Sequence, residues 1–272
     1  MSQKVRAKKV LGQHFLNDLN IARRIADTVS GQEVGNPAYA DLPILEIGPG
    51  MGVLTQFLLE SGREIKAVEI DTESVEYLHK TMPQLNVLEA DFLTLDLRDI
   101  FSGRHFALIG NYPYNISSQI FFKILDYKDI IPVAAGMLQR EVAQRLCSPP
   151  GSKAYGILSV LLQAWYDCEY LFTVNENVFT PPPKVKSGVI RIVRNSRSTL
   201  GVDEKKFKTV VKTAFGQRRK TLRNSLGPLI PAGSPLLQDE ILKKRPEQLS
   251  VEEFIEITRI ITSDGERTTS DK

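Results

Sequence analysis

Short apolar segments alternate with amphipathic segments through the first half of the chain. The apolar runs predict strands over residues 44–48, 64–70, 86–90, 105–111 and 133–139. The segments between them carry apolar residues at helical spacing and predict helices over residues 18–29, 53–62, 72–82 and 117–127. Apolar strands that alternate with helices indicate an α/β fold whose parallel sheet is covered by helices on both faces.

The pattern changes after residue 139. Helices are predicted over residues 141–146 and 157–165, and two late strands over 168–174 and 188–193 are predicted to form an antiparallel pair at one sheet edge. Residues 203–262 read as helices broken by a Gly- and Pro-rich stretch, followed by a frayed tail. We therefore expect an arm and an α/β domain over residues 1–197 and a small all-α domain over residues 198–272.

Charge is distributed unevenly along the 272 residues. The chain has 35 Lys and Arg against 32 Asp and Glu. Residues 1–24 carry six basic residues and one acidic residue, and residues 184–245 carry sixteen against four. The remainder is therefore net acidic. Two basic segments on an acidic body favour a polyanionic partner, although charge alone does not separate RNA, DNA and an anionic membrane surface.

The sequence argues against a metal centre and a membrane anchor. Cys147 and Cys168 are 21 positions apart without a CxxC pair, and the three histidines are scattered. The basic N-terminus lacks the apolar core of a secretory signal, and no apolar run reaches the length of a membrane span. We expect a cytoplasmic protein without metal or membrane contact.

A glycine-rich turn follows the first predicted strand of the sheet. Residues 46–52 read E-I-G-P-G-M-G, which has GxGxG spacing and not the GxGxxG spacing of dinucleotide-binding proteins. Gly48 and Gly50 allow the backbone to approach a ligand closely, and the N-terminus of the next helix points N–H groups at it. The leading acid, Glu46, is poorly suited to sit beside a pyrophosphate.

Acidic residues follow the next two predicted strands. Glu69, in V-E-I-D, can accept hydrogen bonds from both ribose hydroxyls, and we assign Asp71 to capping the following helix. Asp91 can accept from the exocyclic amine of an adenine, with Phe92 against the ring. Ligands of open α/β sheets bind at the carboxyl ends of the strands, so these groups together predict an adenosine-bearing cofactor without a diphosphate.

The fourth strand of the pattern ends in N-Y-P-Y, formed by Asn111, Tyr112, Pro113 and Tyr114. The amine of adenine is a poor nucleophile because its lone pair is delocalised into the ring. The side-chain oxygen of Asn111 and the main-chain carbonyl of Tyr112 can hold the amine hydrogens and stabilise positive charge that grows on the nitrogen. Pro113 stiffens the turn, and the ring of Tyr114 offers a stacking face for an extruded base.

Seven segments together resemble a known family. G-Q-H-F-L (12–16), the glycine loop, V-E-I-D, E-A-D-F, N-Y-P-Y, F-T-P-P-P-K-V-K-S (179–187) and F-G-Q-R-R-K-T-L-R-N-S-L (215–226) occur in order at suitable spacings. They are similar to the ribosomal RNA adenine dimethylases, in particular those of the small subunit. The likeness covers residues 8–260. The glycine loop alone is weakly specific, whereas the first and last of these segments are highly specific.

The resemblance implies a Rossmann-like methyltransferase sheet and S-adenosylmethionine as the methyl donor. It implies that two adjacent adenosines, in a hairpin loop near the 3′ end of small-subunit rRNA, are each methylated twice. His14 and Leu16 are implied to bind the cofactor from the arm, beside Gly48, Gly50, Glu69, Asp91 and Asn111. Phe179 is implied to stack on the target base opposite Tyr114. The basic residues expected to contact rRNA are Lys184, Lys186, Arg218, Arg219, Lys220 and Arg223. We expect a monomer.

Two positions depart from the family pattern, and other functions remain open. His14 stands where Asn is common, and Tyr112 stands where Leu is common. A large-subunit rRNA resistance methylase is the nearest alternative, and the segments at 12–16 and 215–226 argue against it. A non-catalytic RNA-binding assembly factor is disfavoured by the intact N-Y-P-Y. A nicotinamide dehydrogenase is disfavoured by the glycine spacing.

Overall fold

The computed structural model describes the backbone of residues 5–270 and the side chains of residues 5–264. Lys4, which contributes to the predicted basic arm, lies outside the described residues. The strands are β1 (Phe15–Leu16), β2 (Ile44–Ile47), β3 (Ile65–Glu69), β4 (Asn86–Glu89), β5 (Ala107–Asn111), β6 (Val133–Gln139), β7 (Tyr166–Val174), β8 (Phe179–Thr180) and β9 (Ser187–Arg194).

Each predicted helical segment contains a helix, and two further short helices, Gly31–Val34 and Leu97–Ile100, were not predicted. The helices are α1 (Leu19–Asp27), α2 (Gly31–Val34), α3 (Thr55–Leu59), α4 (Thr72–Thr81), α5 (Leu97–Ile100), α6 (Ser117–Asp126), α7 (Arg140–Cys147), α8 (Ile157–Gln163), α9 (Glu204–Gly216), α10 (Leu222–Leu226) and α11 (Val251–Ser270). Asp18 caps α1 by accepting hydrogen bonds from the backbone N–H groups of Asn20 and Ile21. This contact explains why the helix begins where the sequence predicts.

Seven strands form one sheet in the order β4-β3-β2-β5-β6-β9-β7. The first five strands of that order run parallel to one another, and β9 runs antiparallel to β6. Every residue of β2 is buried, and so are the first four residues of β5 and the first six of β6. Because successive side chains of a strand point to opposite faces, both faces of the sheet are covered. The predicted α/β architecture is confirmed, and the two late strands lie side by side at one edge as predicted.

The strand order reverses at β2, which lies between β3 and β5. In doubly wound sheets the loops on the two sides of such a strand diverge and leave a crevice at its carboxyl end. The glycine loop follows β2, V-E-I-D ends β3, and N-Y-P-Y follows β5. The topology therefore brings the predicted site segments to one edge of the sheet.

The N-terminal arm forms two short elements that the sequence does not predict. Residues 9–11 form a 3-10 turn, and β1 pairs antiparallel with β8, so that Leu16 lies opposite Phe179. The backbone N–H of Asn17 extends this pairing by donating to the carbonyl of Val178 at 2.8 Å. A two-residue strand has no periodicity, so the sequence pattern could not reveal it.

Contacts divide the chain into two compact units. The first extends to Gln144 and includes Asp167–Arg194, and the second comprises Arg145–Tyr166 and Asn195–Lys272. Residues 145–166 thus group with the second unit, whereas the sequence prediction assigned them to the first domain. The reason is packing, because α8 lies against α9 and α11 in an apolar core that includes Phe207, Phe254 and Leu222.

The end of the chain differs from the prediction. Helix α11 continues to Ser270, where a frayed tail was expected from residue 263. No proline interrupts the segment, so the backbone hydrogen bonds of α11 can propagate through its polar end. Lys272 lies outside the described residues. Among the residues that the structure describes, no helix has the length and apolar character to cross a bilayer.

Candidate active site

A cavity of about 200 Å³ lies at the carboxyl ends of β2, β3, β4 and β5. Its lining comes from the arm, the glycine loop and the segments that follow β3, β4 and β5. The lining residues are 11–16, 25, 46–51, 53, 54, 68–70, 90–93 and 111–116. All the predicted cofactor and reaction-site residues except Phe179 line this one cavity. These ten residues are His14, Leu16, Gly48, Gly50, Glu69, Asp91, Asn111, Tyr112, Pro113 and Tyr114.

Glu69 is fixed at the floor of this cavity. It is 4% exposed and accepts hydrogen bonds from the backbone N–H groups of Gly50, Ile70 and Asp71 at 2.9–3.1 Å. Burial raises the pKa of Glu69, and the three backbone hydrogen bonds oppose that rise. Three backbone donors fix the orientation of this carboxylate. Its remaining lone pairs can still accept hydrogen bonds from ligand hydroxyls.

Glu46 is a second buried carboxyl group at the cavity. It is 1% exposed, and its Oε2 accepts a hydrogen bond from the hydroxyl of Thr55 at 2.7 Å. Burial raises the pKa of Glu46 to about 8, and the neighbouring carboxylate of Glu69 adds to the rise. At neutral pH this group therefore holds a proton and adds little negative charge to the cavity.

The segment after β4 supplies the predicted adenine end of the site. Asp91 lines the cavity, and its Oδ1 accepts from the backbone N–H of Leu93 at 2.9 Å. Phe92 is buried, so it supports the wall from within the core. Ile70 was not predicted from the sequence, yet it lines the cavity with 51% of its surface exposed. A large exposed apolar side chain inside a cavity is a packing surface for a flat apolar ring.

The arm closes one side of the cavity by direct contact with the loops. A Cβ on Gly50, whose φ is +55°, would meet the ring of Phe15 at 2.9 Å. A Cβ on Gly12, whose φ is +65°, would meet Oδ1 of Asn115 at 2.8 Å. The positive φ favours glycine at both positions, and at Gly50 the ring of Phe15 also leaves no space for a side chain. These contacts hold the G-Q-H-F-L segment against the glycine loop and against the loop after β5.

Asp71 holds the arm, and it does not cap α4 as predicted. The residue occupies the N-cap position, but its side chain accepts no hydrogen bond from the helix backbone. It instead forms an ion pair with Lys8 and accepts hydrogen bonds from Gln13 at 3.3 Å and Ser74 at 2.9 Å. Burial acts to raise the pKa of Asp71, but these hydrogen bonds outweigh it and lower the pKa below its usual range. The arm partner is distant in sequence, so the local pattern predicted only the cap.

Asn111 is oriented by the arm. Its Nδ2 donates to the main-chain carbonyl of His14 at 3.0 Å. A carbonyl can only accept, so the amide nitrogen faces His14 and Oδ1 is left as a hydrogen-bond acceptor. This arrangement supplies the acceptor that the sequence predicts at the end of β5.

Tyr112 contributes its main chain to the cavity wall and its ring to the core. The ring is fully buried over the cross-strand pair Gly110 and Gly136, and its hydroxyl donates to the carbonyl of Ala135 at 2.7 Å. A Cβ on Gly136 would lie only 2.7 Å from that ring. The two glycines therefore make room for a side chain larger than the leucine that is common at this position.

Tyr114 lies at the cavity between two other segments. Its hydroxyl forms a 2.5 Å hydrogen bond with Oγ of Ser187, and its ring lies 5.5 Å from the ring of His14 at an angle of 32°. The Nδ1 of His14 donates to the carbonyl of Pro181 at 2.8 Å, because a carbonyl cannot donate. His14 thus joins the arm to the Pro-rich loop between β8 and β9 (residues 181–186). The resemblance does not imply this role.

Phe179 differs from its expected placement. It is 3% exposed on β8, packs in the apolar core with Leu16 and Val174, and is not part of the cavity lining. The expected stacking on a target base opposite Tyr114 has no counterpart in this arrangement. Pairing of β8 with β1 turns the ring of Phe179 inward, and the short β1 strand was not evident from the sequence.

The predicted RNA-binding residues fall into two groups. Arg218 donates to the carbonyl of Lys153 at 2.6 Å, and Arg223 donates to the carbonyl of Leu237 at 2.6 Å. Both therefore tie the helical unit together. Arg219 and Lys220 are exposed in the turn between α9 and α10, and Lys184 and Lys186 are exposed in the loop before β9. Within the described part of the chain, no group of three or more His, Cys, Asp or Glu side chains is placed to hold a metal ion.

Comparisons with known proteins agree on one family. A sequence model described as ribosomal RNA adenine dimethylase matches residues 4–263. A protein of Parabacteroides distasonis named ribosomal RNA small subunit methyltransferase A is 63% identical over 258 residues, which cover 94% of each chain. Its namesake in Porphyromonas gingivalis is 60% identical over 261 residues, which cover 95% of this chain and 98% of the relative.

Two solved structures share the fold over nearly the whole chain. A dimethyladenosine transferase from Plasmodium falciparum superposes with a TM-score of 0.75 at 22% identity and covers 93% of this chain and 98% of the other. The 23S rRNA methyltransferase ErmE superposes with a TM-score of 0.66 at 26% identity. The superposition covers 90% of this chain and 99% of ErmE. The folded frame around the cavity is thus shared with methyltransferases.

We predict that Glu46 makes the stability of the free protein depend on pH. An unfolded glutamate releases its proton near pH 4.3, whereas the folded chain retains it to about pH 8. The contribution to stability is therefore complete below the unfolded pKa and is lost as the pH rises to 8. Relative to Glu46→Gln, the wild type should lose up to several kcal/mol of unfolding free energy between pH 5 and 8.

The measurement is chemical denaturation of both proteins at several pH values without cofactor. Glu76 is exposed on α4, and Glu76→Gln serves as the matched control, whose curve should run parallel to that of the wild type. Parallel curves for wild type and Glu46→Gln would show that Glu46 is ionised in the folded protein.

Proposed function

This chain belongs to the ribosomal RNA adenine dimethylase family, and we propose that it dimethylates N6 of two adjacent adenosines in a hairpin loop near the 3′ end of small-subunit rRNA. The relatives named for small-subunit rRNA are 60–63% identical to this chain. The large-subunit enzyme ErmE is 26% identical, so the large-subunit alternative is not favoured. The modification belongs to small-subunit maturation.

We infer that the cavity binds S-adenosylmethionine. Two features support the fit: the oriented carboxylate of Glu69 and the exposed apolar face of Ile70. A Cβ on Gly48 would meet nothing within 4 Å, so the glycine loop leaves open space where a ligand can approach the backbone. S-adenosylmethionine supplies, when bound, an electrophilic methyl group on a sulfonium centre.

The observation that carries the proposed chemistry is the orientation of Asn111. Because Nδ2 is bound to the carbonyl of His14, Oδ1 is available to accept a hydrogen from the adenine amine. The main-chain carbonyl of Tyr112 is the second acceptor. Two fixed acceptors favour a pyramidal nitrogen and stabilise the positive charge that develops on it. No general base is needed before transfer, since the proton can leave afterwards.

The target base must leave its stack to reach these acceptors. Tyr114 presents a half-buried ring at the cavity, and stacking of a base on such a ring contributes about 1–3 kcal/mol. Phe179 lies in the core, so we assign the stacking face to Tyr114 alone. An intact acceptor, stacking ring and cofactor cavity in one place also disfavour a non-catalytic assembly factor.

We assign rRNA attraction to exposed basic residues on two segments. Lys184 and Lys186 precede β9, and Arg219 and Lys220 lie between α9 and α10. Residues 11–116 of a single chain form the cavity, so the site is complete without a second copy, which supports a monomer. A ribosomal substrate supports a cytoplasmic location.

Substitution of Asn111 and Glu69 should separate chemistry from cofactor binding. Asn111→Ala removes an acceptor at the reacting nitrogen and should lower methyl transfer at least about 100-fold, with a small effect on cofactor affinity. Glu69→Ala should weaken cofactor affinity much more strongly. Transfer of labelled methyl groups to unmethylated small subunits and calorimetric titration of the cofactor measure the two effects. Undiminished transfer by Asn111→Ala would refute the assigned acceptor.

Salt dependence should identify the basic residues that contact rRNA. The double variant Arg219→Ala/Lys220→Ala should make the slope of log affinity against log salt shallower by about 1.4–1.8, because each of the two lost phosphate contacts contributes roughly 0.7–0.9. The exposed Lys80 on α4 provides a control, and Lys80→Ala should leave the slope unchanged. The assay is filter binding of small-subunit rRNA between about 50 and 300 mM salt, a range over which salt strongly weakens contacts with phosphates. A wild-type slope in the double variant would exclude this turn from the interface.

A further inference from the structure

The hydroxyl of Tyr114 is held by a residue that the proposed chemistry does not use. Oγ of Ser187 lies 2.5 Å from the Tyr114 hydroxyl. Ser187 is fully buried and is the first residue of β9, where it pairs with Gln139 of β6. The serine is therefore fixed to the sheet, whereas Tyr114 lies in the loop that follows β5.

A second contact limits the ring from the side. The ring of His14 lies 5.5 Å from that of Tyr114, and His14 is itself anchored to the carbonyl of Pro181. The hydroxyl end and the flank of the Tyr114 ring are thus held by segments about 70 and 100 residues away in sequence. Burial raises the pKa of Tyr114, so its hydroxyl remains protonated and keeps the hydrogen bond through the physiological range.

Orientation of this ring matters for a stacking function. The torsion that turns a tyrosine ring is broad, so packing and hydrogen bonds decide which plane the ring adopts. A ring that is already oriented does not lose that freedom when a base stacks on it, which is the general advantage of preorganisation. If Ser187 served only as a hydrogen-bond partner for the buried Tyr114 hydroxyl, its loss would lower stability and would leave the rate of methyl transfer unchanged.

We propose that Ser187 is a positioning residue, which fixes the plane of the Tyr114 ring for the target adenine through its hydroxyl hydrogen bond. This inference rests on the proposed function. It extends the reaction site to Ser187 at the start of β9, a residue to which the sequence analysis gives no role of its own. Ser187 itself touches neither the cofactor cavity nor a substrate position.

A double-mutant cycle tests the inference. Tyr114→Phe keeps the ring and removes its hydroxyl, and Ser187→Ala removes the partner. Each single variant should lower kcat for unmethylated small subunits by up to about tenfold, the cost of ordering one side chain. The double variant should be no slower than Tyr114→Phe, because both changes remove the same hydrogen bond. Cofactor affinity should stay at the wild-type value in all three.

A control separates positioning from stability. Ser159 is also fully buried, and its hydroxyl donates to the carbonyl of Arg145 at 2.6 Å in the helical unit. Ser159→Ala should lower the melting temperature and leave kcat unchanged. If Ser187→Ala behaves in the same way, or if Tyr114→Phe keeps the wild-type kcat, or if the losses add in the double variant, the inference is wrong. Absence of methyl transfer by the wild type would instead refute the proposed function.

Discussion

The hydrogen bond from Nδ2 of Asn111 to the carbonyl of His14 decides how the rest of the site is arranged. It turns the amide so that Oδ1 is the available acceptor, and it does so only while the arm is docked. The arm residue that accepts this bond also packs its ring beside Tyr114 and reaches the Pro-rich loop through Nδ1. The same segment therefore contacts both Asn111 and Tyr114 at the cavity.

Docking of the arm depends in turn on a buried carboxylate at the end of β3. Asp71 binds Lys8 and Gln13, while Glu69, two residues earlier, lines the cavity. The V-E-I-D segment thus directs one carboxylate toward the cavity and the other toward the arm. Glycine at positions 12 and 50 lets the arm lie close against Asn115 and lets the ring of Phe15 lie close against the glycine loop. Opposite roles for two neighbouring acids follow from the different partners that the fold brings to them.

The cavity residues at the ends of predicted strands could be predicted from the sequence. Glu69, Asp91 and Asn111 each follow an apolar run, and parallel strands bring their carboxyl ends to one edge. Contacts between segments that are distant along the chain could not be predicted in this way. The β1–β8 pairing buries Phe179, Lys8 draws Asp71 away from capping, and Arg218 and Arg223 hold carbonyls of the helical unit. None of these contacts has a periodic signature, so the sequence pattern alone could not predict them.

The most direct measurement maps the product. The protein is incubated with S-adenosylmethionine that carries a labelled methyl group and with small subunits that lack the modification, and the labelled nucleotides are then identified. The account predicts that label appears on N6 of two adjacent adenines near the 3′ end of small-subunit rRNA, with two methyl groups on each. Label on large-subunit rRNA, on another atom of the base, or on no nucleotide would contradict it.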